Sequence, residues 1–357
     1  QLVSGFFPNK IPNPDLKWER TGQFDVGLDL GLFNNRLRVT MDYYKKKTTD
    51  LLYNVAIPYT SGYDTILKNI GILENHGYEL SIESDNLTGP FSWTTAFNIS
   101  FNRNKVLELG GEEYKEMAEG DGHLKTGSVR RLIVGEPVGV FYGYRFDGIF
   151  QNEEECKQQT SSAAPIGVGL RRYKDLNGDG KVDAVNDREI LGNANPKFFG
   201  GLTNTFAYKG FELNVFLQYS VGNKILNYNA MELETPTGGQ NAYADMVNRW
   251  TPENPSNIYP KATTNRNVLV SDRFIEDGSY LKLKTLSLSY SFPKVNIKHI
   301  QGLRIYVTGQ NLLTWTKYRG YDPEVSYRGA STLESGEDFG GYPQSRTFMF
   351  GVKLDIK

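Results

Sequence analysis

The sequence predicts an all-β fold, an antiparallel transmembrane β-barrel, and three observations predict it. Several stretches alternate strictly between apolar and polar residues. The connections between them are alternately a few residues and several tens of residues long. Aromatic residues make up 13% of the chain, with 22 Tyr and 20 Phe, while mean hydropathy stays low at −0.48. In the closing segment Phe348, Phe350, Val352, Leu354 and Ile356 fall on one side of a strand, and Met349, Gly351, Lys353, Asp355 and Lys357 on the other. One face suits lipid and the other water. No run approaches the roughly 18 apolar residues of a membrane helix. That test does not count against a barrel, because lumen-facing polar residues dilute every window.

Taken in order, the chain reads as about eleven strands of roughly 9 to 13 residues, a length suited to tilted membrane strands. The first runs from Trp18 to Phe33, with Phe24, Val26, Leu28, Leu30 and Leu32 opposed by Gln23, Asp25, Gly27, Asp29 and Gly31. Asn34-Asn35 turns it tightly into a second strand carrying Leu37, Val39, Met41 and Tyr43. Tyr78, Leu80 and Ile82 mark the third, and residues 86–90 form a short turn. The fourth sets Phe91, Trp93, Thr95, Phe97, Ile99 and Phe101 against Ser92, Thr94, Ala96, Asn98, Ser100 and Asn102.

If all short turns lie on one side of the membrane, a strand is expected within residues 104–137. His123 to Val134 is the candidate, turning at Gly135-Glu136-Pro137 into a sixth strand with Val138, Val140, Tyr142, Tyr144 and Phe146. Phe199 to Tyr208 and Phe211 to Val221 form a hairpin across Lys209-Gly210. In Tyr280 to Phe292 the apolar phase slips near Thr285, which predicts a bulge. Leu303 to Thr314 and Arg346 to Lys357 complete the set. Long outer loops are expected at about 48–71, 104–122, 151–195, 222–279 and 315–344, within one barrel domain spanning 1–357. Trp18 and Trp315 share the lipid-facing phase at outer strand ends and Trp93 shares it at an inner end, as aromatic girdles require; Trp250 falls in a loop.

Charge and cysteine usage narrow the function classes. A net charge of −1 and a pI near 6.4 supply no basic stripe for nucleic acid. Cys156 is the only cysteine, which excludes an internal disulfide framework and a CxxC metal site. The start at Gln1, in a Pro- and Asn-rich stretch without a signal peptide, leads to the expectation of a chain that begins mid-protein.

The segments NPDLKWER (13–20), VGVFYGYRFDGIF (138–150), DLNGDGKVD (175–183), LRIYVTGQNLLTWTKYRGYDPEV (303–325) and the closing RTFMFGVKLDIK carry a resemblance that spans nearly the whole chain. The chain resembles the C-terminal half of SusC/RagA-type TonB-dependent outer-membrane transporters. The resemblance implies half of a 22-stranded barrel, with the plug domain and the TonB box absent from this chain. It further implies a multi-pass outer-membrane location, a SusD-type surface lipoprotein as a lid, and TonB-driven import of oligosaccharides or peptides. The family is not enzymatic. Its barrels commonly end in an aromatic residue, so the end at Lys357 leads to the expectation of a trimmed terminus.

One local motif carries metal chemistry. Asp175, Asn177, Asp179, the Lys181 carbonyl and Asp183 occupy positions 1, 3, 5, 7 and 9 of an EF-hand-like loop, with Gly180 at position 6. Hard oxygen donors on a tight turn suit Ca²⁺ as an ordering cofactor. Position 12 is Asn186, so the closing ligand is expected to be Asp187, displaced by one, with Glu189 close behind. An Asx- and Gly-rich turn without an ion is the alternative.

Tyr243, Trp250 and Tyr259, in the 222–279 loop, are candidates to stack on sugar rings or on a lid protein, against simple packing within the loop. His76, His123 and His299 have no metal-ligand spacing, and Glu153-Glu154-Glu155 reads as a solvated face. Glu112, Glu113 and Glu116 could supply a glycosidase pair, although nothing fixes their separation. Gly238-Gly239 and Gly340-Gly341 read as hinges. Energised import is the leading reading. A secreted, calcium-stabilised carbohydrate-binding or adhesion β-domain is the alternative, an enzyme and a passive porin stand further off, and the glycan or peptide identity of the cargo stays open.

Overall fold

The computed structural model describes residues 11–63, 65–117, 120, 124, 126–235, 241–264, 268–293, 299–329 and 333–356. Among them, nine strands form a single antiparallel sheet in which each strand pairs with the next along the chain. They are β1 (Arg20–Leu32), β2 (Leu37–Thr49), β3 (Ile72–Leu87), β4 (Phe91–Glu108), β5 (Phe198–Tyr208), β6 (Phe211–Val221), β7 (Tyr280–Ser291), β8 (Ile300–Thr316) and β9 (Thr347–Ile356). The connections at 33–36, 88–90, 209–210 and 292–299 are short and share one side. Those at 50–71, 109–197, 222–279 and 317–346 are long and share the other. The tight turns use left-handed backbone: Phe33, Asn34 and Asn35 have φ of 55°, 57° and 62°, and Lys209-Gly210 joins β5 to β6 with φ of 46° and 88°.

The register aligns the apolar phase of every strand. Leu30, Val39, Ile82, Phe97, Leu202, Leu217, Leu283 and Leu313 face one another in one row across eight strands. Aromatic rings bound this row on both sides. Tyr43 and Tyr78 (centroids 4.9 Å apart) and Phe101 and Phe198 (5.7 Å) lie toward the long loops. Trp93 and Phe206 (5.8 Å) and Phe211 and Tyr290 (4.5 Å) lie toward the short turns. From Phe91 to Phe101 is ten residues along β4. At about 3.3 Å per residue and a tilt of about 40°, that is an apolar band about 25 Å tall, the height of an outer-membrane barrel belt. Polar groups inside the band satisfy each other, as hydrocarbon demands. Asn204 Oδ1 accepts from Trp93 Nε1 at 2.8 Å and from Thr95 Oγ1 at 2.7 Å.

The bulge expected near Thr285 is present. The register shifts between Leu283 and Thr285 on one side of β7, and between Phe216 and Leu217 on the other. One inserted residue resets the phase, so Leu281 and Leu283 before it and Leu286 and Leu288 after it keep to the outward face. Glycine admits a large ring at three cross-strand pairs: Tyr44 opposite Gly77, Tyr219 opposite Gly200 and Tyr306 opposite Gly351. A Cβ at Gly77 would stand 2.6 Å from the Tyr44 ring, so the ring lies where a side chain would otherwise be.

Two of the eleven expected strands are not in this wall. β4 pairs directly with β5, Tyr208 opposite Phe91, and leaves no place for strands between them. The predicted fifth strand, His123 to Val134, contributes only Arg131–Ile133, paired with Tyr114–Glu116; His123 lies outside the described residues. The predicted sixth shortens to Val140–Tyr144, paired with Arg188–Asn193 and buried on both faces, with Phe141 at 0% exposure. Counting turn sides cannot distinguish two extra wall strands from none, because either choice leaves every short turn on the same side. The loops expected at 104–122 and 151–195 therefore merge into one connection over 109–197.

That connection folds together with 222–279 and 317–346. Phe141, Leu226, Tyr228, Met231, Val270 and Phe274 share one buried core. Lys224–Asn227 pairs with both Ile275–Asp277 and Glu337–Asp338. This loop domain rests on the polar phase of the sheet. Lys282 of β7 is 2% exposed beneath it, while its neighbour Leu281, on the opposite face, is 39% exposed. At the loop end of β3 and β4 the inward phase itself turns apolar, and Leu73 and Val106 pack against Leu132 and Val138. Phe350 is 83% exposed, so the outward face is not sealed in the core that a soluble sandwich would need.

The two faces respond differently to the same substitution. Leu217→Arg in the outward row is expected to cost about 2 to 4 kcal/mol of folding stability in lipid, and Asn214→Arg on the inward face about 1 kcal/mol or less. Urea unfolding in bilayers, scored by heat-modifiable gel mobility, measures both; equal costs would contradict the assignment of faces.

Candidate functional site

The surface able to meet a solute is the inward face of the sheet together with the loop domain mounted at its outer end. Near the short turns, Arg38, Glu83, Asp85, Thr94, Thr203 and Thr205 surround a concavity of about 230 Å³. Arg38 and Glu83 form an ion pair at 2.9 Å. Hydroxyls and one exposed pair make this a wet, hydrogen-bonding lining.

At the other end, ion networks fix the loop domain to the wall. Lys282 Nζ donates to Asp322 Oδ1 and to Glu324 Oε2, both at 2.5 Å, and Lys284 Nζ reaches Glu324 Oε2 at 2.7 Å. Tyr280 OH and Gln218 Nε2 add bonds to Glu324 Oε1 at 3.1 and 3.3 Å. Burial alone would raise the Asp322 carboxyl, but the Lys282 ammonium and the amides of Glu324 and Gln344 outweigh it and hold the group below its ordinary 3.8. Glu324 follows the same balance, with burial opposed by Lys282 and Lys284, and sits below its ordinary 4.5. Deeper in the loop domain, Arg130 (2% exposed) and Glu337 (1%) pair at 2.8 Å. Arg130 also donates to the carbonyls of Gly139 and Ser335, and its guanidinium lies 4.2 Å from the centre of the Phe141 ring. Its charge and its donors are thus both used within the fold.

The calcium-motif residues lie together in one turn, but their oxygens bind the turn's own amides. Asp175 accepts from the N–H groups of Gly178 and Gly180, both at 2.7 Å, and Asp179 from Lys181 N at 2.8 Å. Asn177 Nδ2 donates to Asp179 Oδ2 at 3.0 Å, and Asp183 pairs with the Lys181 ammonium at 3.2 Å. Asp187 is fully buried and accepts from Leu176 N at 2.8 Å and Asp183 N at 2.7 Å. It closes the loop by clamping two backbone amides, not by offering both oxygens to an ion. Among the described residues, no three acidic, His or Cys side chains converge at metal distance. The donor types fit Ca²⁺; their placement does not gather them into a shell.

The aromatic candidates are built into the loop domain. Tyr243 packs on its core. Trp250 donates from Nε1 to Gln151 Oε1 at 3.0 Å and lies against Gly169. Tyr259 donates to Asp245 at 3.3 Å, with the Arg273 guanidinium 5.2 Å from its ring centre. Packing within the loop describes all three. The rings left open are others, Tyr342 at 91% and Tyr321 at 77% exposure, joined by Val247 at 77%. Lone aromatics in irregular loop sequence carry no periodic signal, so the sequence did not single them out. Two of the three acids weighed for hydrolysis are engaged too, Glu116 by Arg131 and Arg188 and Glu112 by Lys115. Glu153, Glu154 and Glu155 form the first turn of a short helix capped by Asn152. Gly238-Gly239 lies outside the described residues.

Comparison with known proteins gives this geometry relatives. The profile of the TonB dependent receptor-like β-barrel family matches residues 3–312. TonB-dependent receptor P3 of Formosa agariphila is 40% identical, the match covering 99% of this chain and 36% of that protein. TonB-dependent receptor SusC of Bacteroides thetaiotaomicron is 30% identical, over 97% of this chain and 33% of that protein. A solved structure of the RagAB peptide transporter superposes with a TM-score of 0.77 at 27% identity, covering 96% of this chain and 36% of that one. The chain therefore spans about a third of the length of the relatives it matches.

The carboxylate network fixes a pH dependence. Because Asp322 and Glu324 are depressed in the folded state, their stabilisation is complete above the ordinary carboxylate range and is lost as pH falls through their lower folded values. Pepsin cleavage within 317–346 is expected to stay low at pH 5 and to rise steeply below about pH 4. Lys282→Met should move that rise to higher pH, and cleavage independent of pH and of Lys282 would contradict the tether.

Proposed function

The chain belongs to the TonB-dependent receptor β-barrel family, and from that premise we propose that the intact receptor is an energised importer in the outer membrane. Oligosaccharide or peptide fragments enter from the side of the long loops. A SusD-type surface lipoprotein closes over those loops, and the TonB complex supplies the work that opens the path. Further barrel strands continue the sheet beyond β1 and β9, and the inward face near Arg38 and Glu83 meets the plug domain.

The observation that carries this reading is the two-faced sheet with a folded loop domain on its polar side only. A wall that is apolar outward and hydrogen-bonding inward supports passage of a polar solute through a membrane. A domain held rigidly at the outer mouth supports capture before passage. The likeness to a peptide transporter over 96% of the chain adds weight to the same reading. Exposed Val247, Tyr321 and Tyr342 supply apolar and aromatic surface of the kind that protein partners cover. The secreted adhesion reading loses its main support once the outward face is uncovered, because nothing in that reading occupies it.

Uptake of labelled oligosaccharide and peptide libraries by the parent cell tests the proposal. Deletion of the receptor gene, or collapse of the proton gradient, is expected to abolish uptake of one class at least tenfold. Uptake that survives both treatments would refute energised import, and survival of the gradient collapse alone would favour a passive pore.

We extend the proposal to calcium at the 175–187 turn, supported by the hard oxygen chemistry of Asp175, Asn177, Asp179 and Asp183. Those side chains would exchange their amide bonds for the ion, while Asp187 keeps its two. Replacing Asp175 and Asp179 with Asn is expected to abolish millimolar Ca²⁺ binding in calorimetry and to raise protease cleavage of the turn. If neither changes, the calcium assignment fails.

A further inference from the structure

The loop domain contains a buried guanidinium that no carboxylate among the described residues bonds. Arg171 lies in a short strand, Arg171–Tyr173, paired with Phe146–Ile149, and keeps only 8% of its surface exposed. Its Nη2 donates to the Glu234 carbonyl at 2.9 Å and to Thr235 Oγ1 at 3.0 Å. Among the described residues its Nε has no hydrogen-bond partner.

Glu234 is the acid beside it, yet both of its carboxylate oxygens are used. Oε1 accepts from Arg319 at 2.9 Å and Oε2 from Arg273 at 2.9 Å, while Glu276 takes a further bond from Arg319 at 3.0 Å. Glu234 and Glu276 thus spend their carboxylates on Arg273 and Arg319, and Asp245 holds Tyr259, so among the described residues no carboxylate bonds Arg171. A charge withdrawn from water without a counter-charge is costly, and a neutral partner satisfies its hydrogen bond but not its charge.

Arg171 also lines a cavity of about 30 Å³, bounded by Ala164, Pro165, Leu170, Tyr173, Thr235 and Pro260. That space holds one or two water-sized occupants and excludes a sugar ring or an amino acid. We propose that this cavity is a binding site for a halide ion, held by Arg171, which ties the 164–173 segment to Thr235 and Pro260. The site couples halide concentration to the rigidity of the loop domain.

Two measurements on the intact receptor in detergent test this. Thermal unfolding is followed in sodium bromide and in sodium gluconate at matched ionic strength. The expected result is a Tm that rises by several degrees and saturates with bromide, is flat for Arg171→Met, and keeps its dependence at a higher midpoint for Arg171→Lys. In bromide-soaked crystals an anomalous peak is expected within hydrogen-bond distance of Arg171 Nε. Equal Tm in the two salts would overturn the proposal, as would a map with only water in the cavity. Should Arg171→Met fail to fold, the anomalous map of the unaltered receptor decides alone.

Discussion

The wall on which the rest of this structure is mounted follows from the demand that backbone N–H and C=O groups surrounded by hydrocarbon find their partners within it. Only paired strands meet that demand with side chains free to point two ways, so each residue is committed to lipid or to lumen by its position alone. The row from Leu30 to Leu313 is the result on the lipid side, and the Arg38, Glu83 and Thr203 lining is the result on the other. Even the exception obeys the rule. Asn204 and Thr95 stand in the apolar band, but they hydrogen-bond to each other and to Trp93.

The loop domain obeys a different constraint. Lacking a membrane around it, it has a hydrophobic core of its own, built from three connections far apart in sequence. Two buried ion pairs stand within it and at its seat on the wall, Arg130 with Glu337 and Lys282 with Asp322, and such pairs stabilise little beyond what an apolar filling would. Their value here is geometric. An ammonium on the wall that accepts only correctly placed carboxylates fixes where the 317–346 loop lands. A fixed mouth keeps its capture surface in one shape, which links buried charge to function.

The wall was legible in the sequence because period two is a strong signal in strands with one lipid-facing side. The Phe91 to Phe101 alternation fixed β4, and the phase slip at Thr285 located the bulge without knowledge of the partner strands. The loop domain was much less legible. Val138 to Phe146 alternates as a wall strand would, but Phe141 falls in the opposite phase and is as buried as its neighbours, so alternation there came from glycines between large residues. The site residues were less legible for a similar reason. The 175–187 motif names the right oxygen donors, whereas whether they face an ion or their own amides is decided by backbone torsion and by the buried clamp of Asp187. Trp250 and Tyr259 read as aromatics in a loop, and their partners Gln151, Gly169 and Arg273 lie too far away in sequence to be read with them.

The central claim is that the outward face of the nine-stranded sheet lies against acyl chains while the inward face stays wet. Single spin labels at positions 97, 217 and 350, and at 98, 214 and 349, report this directly when oxygen and a water-soluble nickel chelate compete to relax them in bilayers. The account requires oxygen to dominate at the first three positions and the nickel chelate at the second three. Indistinguishable accessibilities, or nickel dominating at 97 and 217, would contradict it.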